Sequence, residues 1–176
     1  MNGKLVASVV VLIGIVTGVA VYYLQEYGFY REIGASGDSD VQLVMVAGQV
    51  PEPVDHSGFR AIDADSSPIR YRACFETPLG LDEARARYVP VPKAEPRNAP
   101  GWFDCFDAEM IGGALKDGTA AAFLSQKNIA YGVDRVIAIT ADGRGYSWHV
   151  FNDCGAKDYD GTVIGEECPP PPERKK

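Results

Sequence analysis

The residues best suited to chemistry in this chain are cationic and aromatic side chains set among carboxylates. Arg70 and Arg72 alternate with Ile69, Tyr71 and Ala73, so a strand through them puts both guanidiniums on one face, where they can hold an anion or pair with carboxylates. Asp63 and Asp65 precede them, and Asp134-Arg135 follows a polar-aromatic stretch from Gln126 to Val133. Trp102, in Gly101-Trp102-Phe103-Asp104-Cys105-Phe106, is one of only two tryptophans and sits among charges, as interface aromatics often do. Arg70, Arg72, Trp102, Asp134 and Arg135 are therefore the candidate interaction surface. The alternative is an anionic-ligand site built from Arg70, Arg72 and the carboxylates around Asp63 and Asp134.

Other chemistries fail on residue type or spacing. The two histidines, His56 and His149, have no HExxH, HxH or CxxC neighbour, and no two cysteines lie two residues apart, so no metal or covalent haem site is predicted. His149, beside Trp148, reads as a strand residue with one face wet. Asp63-Ala64-Asp65-Ser66-Ser67 opens like a calcium loop, but the positions that need Gly and Glu hold Pro68 and Cys74. There is no Gly-x-Ser-x-Gly elbow and no glycine-rich phosphate cradle. His149 lies five residues before Cys154, and that pair is a nucleophile only if Cys154 is not oxidised. No catalytic residue and no cofactor are predicted.

The four cysteines, Cys74, Cys105, Cys154 and Cys168, are an even number and candidates for two disulfides, for which three connectivities exist. Proximity favours Cys154–Cys168, which leaves Cys74–Cys105 to tie a strand to the start of a later helix. Four reduced, buried thiols are the alternative.

The elements that carry these residues begin with an uncharged run from Leu5 to Leu24, long enough as a helix to cross about 30 Å of hydrocarbon. Tyr22, Tyr23, Tyr27, Phe29 and Tyr30 form an interfacial belt at its end. A cleaved signal peptide is the alternative: Lys4 supplies a charged leader and Gly18-Val19-Ala20 a small-residue site. The apolar run continues past Ala20, which favours an uncleaved single-pass anchor spanning residues 1–31. The slight charge bias from Lys4 predicts a cytoplasmic N-terminus. Everything after the span would then be periplasmic, where thiols pair. Gly14 and Gly18 have the spacing that lets two helices approach, which suggests a homodimer.

Beyond the anchor, residues 32–40 read as a flexible stalk, 41–168 as the globular domain, and 169–176, with four prolines and ERKK, as a disordered tail. Strands are expected at 41–46, 69–75, 119–124, 135–140 and 146–151. Helices are expected after Thr77-Pro78 and over 108–116, the latter between Asp107 and Gly118. The predicted fold class is α+β, a transmembrane helix followed by a small antiparallel-sheet domain with two short helices. A net charge of −7 argues against a nucleic-acid partner, and an apolar fraction of 46% against a disordered chain.

Five stretches carry a resemblance: Asp63 to Phe75, Pro100 to Glu109, Gln126-Lys127-Asn128, Tyr131-Gly132-Val133-Asp134-Arg135 and Asp142-Gly143-Arg144-Gly145-Tyr146. Together they resemble an uncharacterised alphaproteobacterial family of short single-pass membrane proteins with a domain of unknown function. The resemblance implies membrane anchoring but no catalytic set. Relatives sometimes carry a histidine-kinase label, and this chain lacks both an ATP-binding motif and an acceptor histidine on a dimerising helix. The expected role is a membrane-anchored accessory, assembly or protein-binding module of the cell envelope, with the bilayer and another envelope protein as partners. A membrane-tethered enzyme or small anionic-ligand binder is the alternative.

Overall fold

The computed structural model describes residues 2–166. Helix α1, Gly3–Tyr23, is capped by the Asn2 side chain, which accepts from the Lys4 amide, and continues as a π-helical turn, Leu24–Gly28. None of its residues is buried by the rest of the chain. It is long and apolar enough to cross a membrane.

The chain then enters the sheet at once. Strand β1, Tyr30–Ile33, pairs antiparallel with β4, Ser57–Ala64. Tyr30, expected in the aromatic belt, therefore opens a strand, and the sheet starts ahead of the expected boundary at residue 41. The 41–46 stretch supplies a short strand, β2, Gln42–Val44, which pairs with β3, Pro51–Pro53, as a separate two-stranded sheet. Strand β4 lies where loop residues dominate. Gly58 has φ +62° at an irregularity in the β4 register, so the strand's period is broken near its start.

Strand β5 covers Arg72–Glu76, shorter than the expected 69–75 at its start. Ile69 and Arg70 belong to a turn in which the Arg70 amide donates to Ser67 O at 3.3 Å. The helix expected directly after Thr77-Pro78 begins later, as α2, Leu81–Arg87, with Gly80 at its N-cap. Thr77 serves a different contact: its hydroxyl donates to Asp55 O at 2.8 Å and accepts from the Leu79 amide. Helix α3, Ala108–Asp117, has the expected ends. The Asp107 carboxylate accepts from the Glu109 and Met110 amides, and Gly118 closes the helix with φ 78°. Strands β6, Ala120–Ala130, β7, Val133–Thr140, and β8, Arg144–Phe151, complete the main sheet in the order β1-β4-β5-β8-β7-β6, all antiparallel. The architecture is thus an apolar N-terminal helix followed by an antiparallel α+β domain with two further helices.

The sheet is covered on both faces. Phe75, Phe123, Ile137 and Ile139 pack with Leu43, Leu81 and Tyr88, from β2, α2 and the residue after α2. The alternate residues Cys74, Ala122, Val136, Ala138 and Trp148 pack with Phe103, Phe106 and Ile111, from the segment before α3 and α3 itself. Successive strand residues point to opposite faces, so burial of both faces leaves Arg72, Ala73, Cys74 and Phe75 all buried instead of alternating.

Candidate functional site

The Cys74–Cys105 disulfide joins β5 to the residue two before the α3 cap, across a Cα–Cα distance of 6.2 Å. Cys154 is also disulfide-bonded, and no cysteine among the described residues is free. An oxidised Cys154 has no thiolate, which removes the His149–Cys154 nucleophile. Cys168 and the 169–176 tail lie outside the described residues. Beside Cys74 and Cys105 lies a cleft of about 350 Å³, with Arg60, Asp104, Arg144 and Tyr146 on its walls. Its cations are already engaged: Arg60 pairs with Asp104 at 3.0 Å and Arg144 with Asp142 at 2.7 Å.

The structure divides the sequence-derived site residues among three places. Arg72 is an internal clip. Its Nε donates to Arg97 O and its Nη1 to Ile69 O and Tyr71 O, at 2.7–2.8 Å, while Nη2 reaches Asn98 O at 3.3 Å. Burial pushes its pKa down to about 10, so it keeps its charge at neutral pH while spending its donors on four carbonyl oxygens. It does not share an outward face with Arg70. Asp134 is likewise buried. Its Oδ1 accepts from the Asn128 amide at 2.8 Å and from Asn152 Nδ2 at 2.6 Å, and so fixes the irregular end of β6 to the chain leaving β8.

Arg135 belongs to a second group. It lies opposite His149 in the β7–β8 register, and its Nε donates to His149 Nε2 at 3.1 Å. That bond makes Nε2 the acceptor, so Nδ1 carries the proton and donates to Pro68 O at 2.5 Å. His149 is buried, not wet on one face as its neighbours suggest. Its ring stacks on Tyr71 at 4.7 Å, and the Arg135 guanidinium lies 4.1 Å from the centre of the same tyrosine ring. Burial, aided by Arg135 and Arg72, depresses its pKa to about 4. With both ring nitrogens engaged, this imidazole positions Arg135 and has no lone pair left for a substrate proton. Arg135 and His149 line a cleft of about 320 Å³ with Asp63, Asp65 and Ser67. Asp65 is drawn away by an ion pair with Arg31.

Trp102 and Arg70 form the third group, at the foot of α1. Trp102 Nε1 donates to Glu26 O, and the neighbouring Gly101 amide donates to Glu26 Oε2 at 3.2 Å. The indole stacks on Tyr27, with centroids 6.4 Å apart, and meets Tyr30 edge-on at 6.2 Å. The Arg70 guanidinium lies 5.4 Å from the centre of the Tyr30 ring. Tyr71, Tyr30 and Glu26 were missed as site residues. The signal for Tyr71 was its place between two arginines, whereas nothing local links Glu26 to a loop 75 residues on.

No curated protein and no solved structure matches this chain. A family model matches residues 41–169, which cover the β2–β8 domain and stop short of α1 and β1. The chain is therefore an apolar-helix-bearing member of DUF6446, a family of unknown function.

Proposed function

We propose that this chain is a single-pass inner-membrane protein that displays its disulfide-bonded domain in the periplasm, as an accessory, assembly or protein-binding module of the cell envelope. The observation that carries the reading is the oxidised state of Cys74, Cys105 and Cys154, all on the far side of the apolar helix. Such bonds persist in oxidising compartments and are rare in the cytosol. The inner membrane and periplasm are supported by the uncharged span, by the slight charge bias from Lys4 before it and by the resemblance to short alphaproteobacterial single-pass proteins. The binding role is supported by the polar groups described above, which are locked in structural contacts instead of converging on one reactive centre. Gly14 and Gly18 have no atom within 4 Å of an added Cβ, an open strip suited to a second copy of the helix.

A second reading, a small anionic-ligand binder, is favoured by the cleft where Arg135 is held by His149 and makes no ion pair among the described residues.

Mass mapping of cysteines from purified membranes, alkylated before any reduction, tests the compartment. Cys74–Cys105 and Cys154–Cys168 peptides with no alkylated thiol are expected, and four alkylated thiols would overturn the reading. Cross-linking in intact cells before detergent extraction tests the role. A discrete adduct with a second envelope protein supports it, and none under any growth condition counts against it.

A further inference from the structure

We propose that Arg70, with Arg97 beside it, binds the phosphate of an anionic phospholipid headgroup in the leaflet from which α1 emerges. The inference rests on the anchoring role of α1 but not on the side of the membrane the domain occupies. Three observations carry it.

First, Arg70 Nη1 is buried and has no hydrogen-bond partner among the described residues. The fold closes Nη1 off, while Nε and Nη2 are not buried and likewise have no acceptor among the described residues, so they are the donors left for an oxygen anion that the chain itself does not supply.

Second, the charge around it is unbalanced. Arg31, Arg60, Arg85, Arg87 and Arg144 each pair with a carboxylate, whereas Arg70, Arg72 and Arg97, like Arg135, have no such pair among the described residues. In a chain of net charge −7 this cationic cluster is against the trend. Arg72 is spent on carbonyl oxygens, one of them that of Arg97, and feels the charge of both Arg97 and Arg70; the exposed Arg97 guanidinium rests 5.8 Å from the centre of the Phe151 ring and keeps its donors for a ligand.

Third, the cluster sits at the level a headgroup would occupy. Arg70 covers Tyr30, two residues beyond the last helical turn, and Tyr30 meets Trp102, which stacks on Tyr27. Tyrosines and tryptophans collect at the membrane–water boundary, and the phosphates lie just outside them. Arginine suits this role because its planar fork can meet two phosphate oxygens while its face rests on a ring. The polybasic attraction of a membrane surface is usually diffuse, whereas here it is confined to a guanidinium fixed by the fold.

The test uses the full chain in non-ionic detergent, titrated with phosphatidylglycerol, phosphatidylcholine or inorganic phosphate and read by native mass spectrometry. One phosphatidylglycerol should be retained at least tenfold more tightly than phosphatidylcholine, and millimolar inorganic phosphate should not displace it. Arg70→Gln should reduce the preference to that of a neutral lipid. Arg97→Gln, at an exposed position that does not threaten folding, should weaken it several-fold. Equal retention of the two lipids, an unaltered preference in both variants, or displacement by inorganic phosphate would overturn the proposal. Alkaline extraction of the same membranes reports separately on whether α1 anchors the chain, so failure of that reading is distinguishable.

Discussion

At His149 the imidazole donates through Nδ1 and accepts through Nε2, and both bonds suit its neutral form. An unfolded histidine titrates near 6.5 and this one near 4, so between those values the unfolded chain takes up the proton first. The stabilisation is therefore complete above pH 6.5 and is lost as pH falls toward 4, by on the order of 3 kcal/mol. Urea unfolding of the detergent-solubilised chain should give a midpoint that falls across this window, and His149→Gln should flatten the slope. An unchanged midpoint from pH 6.5 to pH 4.5 would contradict the assigned tautomer and burial. The sequence marks Arg72, Asp134 and Arg135 as notable, but it cannot say whether a polar group faces a ligand or its own backbone. Arg72 and Asp134 turn inward because carbonyls and amides distant in sequence meet them, and that depends on chain paths no local pattern encodes.

Strands β5 and β8 pack through an unusual cross-strand pair. Gly145 lies opposite Phe75, whose ring occupies the space a Cβ would need, with the nearest ring carbon only 2.1 Å from it. Gly145→Ala must push the Phe75 ring out of a core it shares with Phe123 and Ile139, at a cost of about 1–3 kcal/mol. A lower unfolding midpoint, partly restored by Phe75→Leu in the same chain, is expected. No change in midpoint would mean that the ring has room to move. Elements with self-contained signals were legible. Asp107 and Gly118 delimit α3, and the Asp142-Gly143 turn, with Gly143 at φ 82°, joins β7 to β8. Strand β4 was not, because a glycine irregularity breaks its period, and β1 was hidden because Tyr30 also fits an interfacial belt.

For the molecule as a whole, α1 stands apart from the sheet, yet the turn at its end is tied to the domain. Glu26 receives bonds from Gly101 and Trp102, and Tyr27 and Tyr30 flank the same indole. The long apolar helix was legible from composition alone, since twenty uncharged residues in a row are enough to cross a membrane as a helix. The docking of the domain against its foot was not, since it joins segments 75 residues apart. Apolar helices near an N-terminus also serve as removable leaders, so the account depends on α1 persisting in the mature protein. The most direct measurement is alkaline carbonate extraction of membranes followed by intact mass analysis of the chain. The account predicts a polypeptide that stays in the pellet and retains residues 3–23. A chain released to the supernatant, beginning after Ala20, would contradict it.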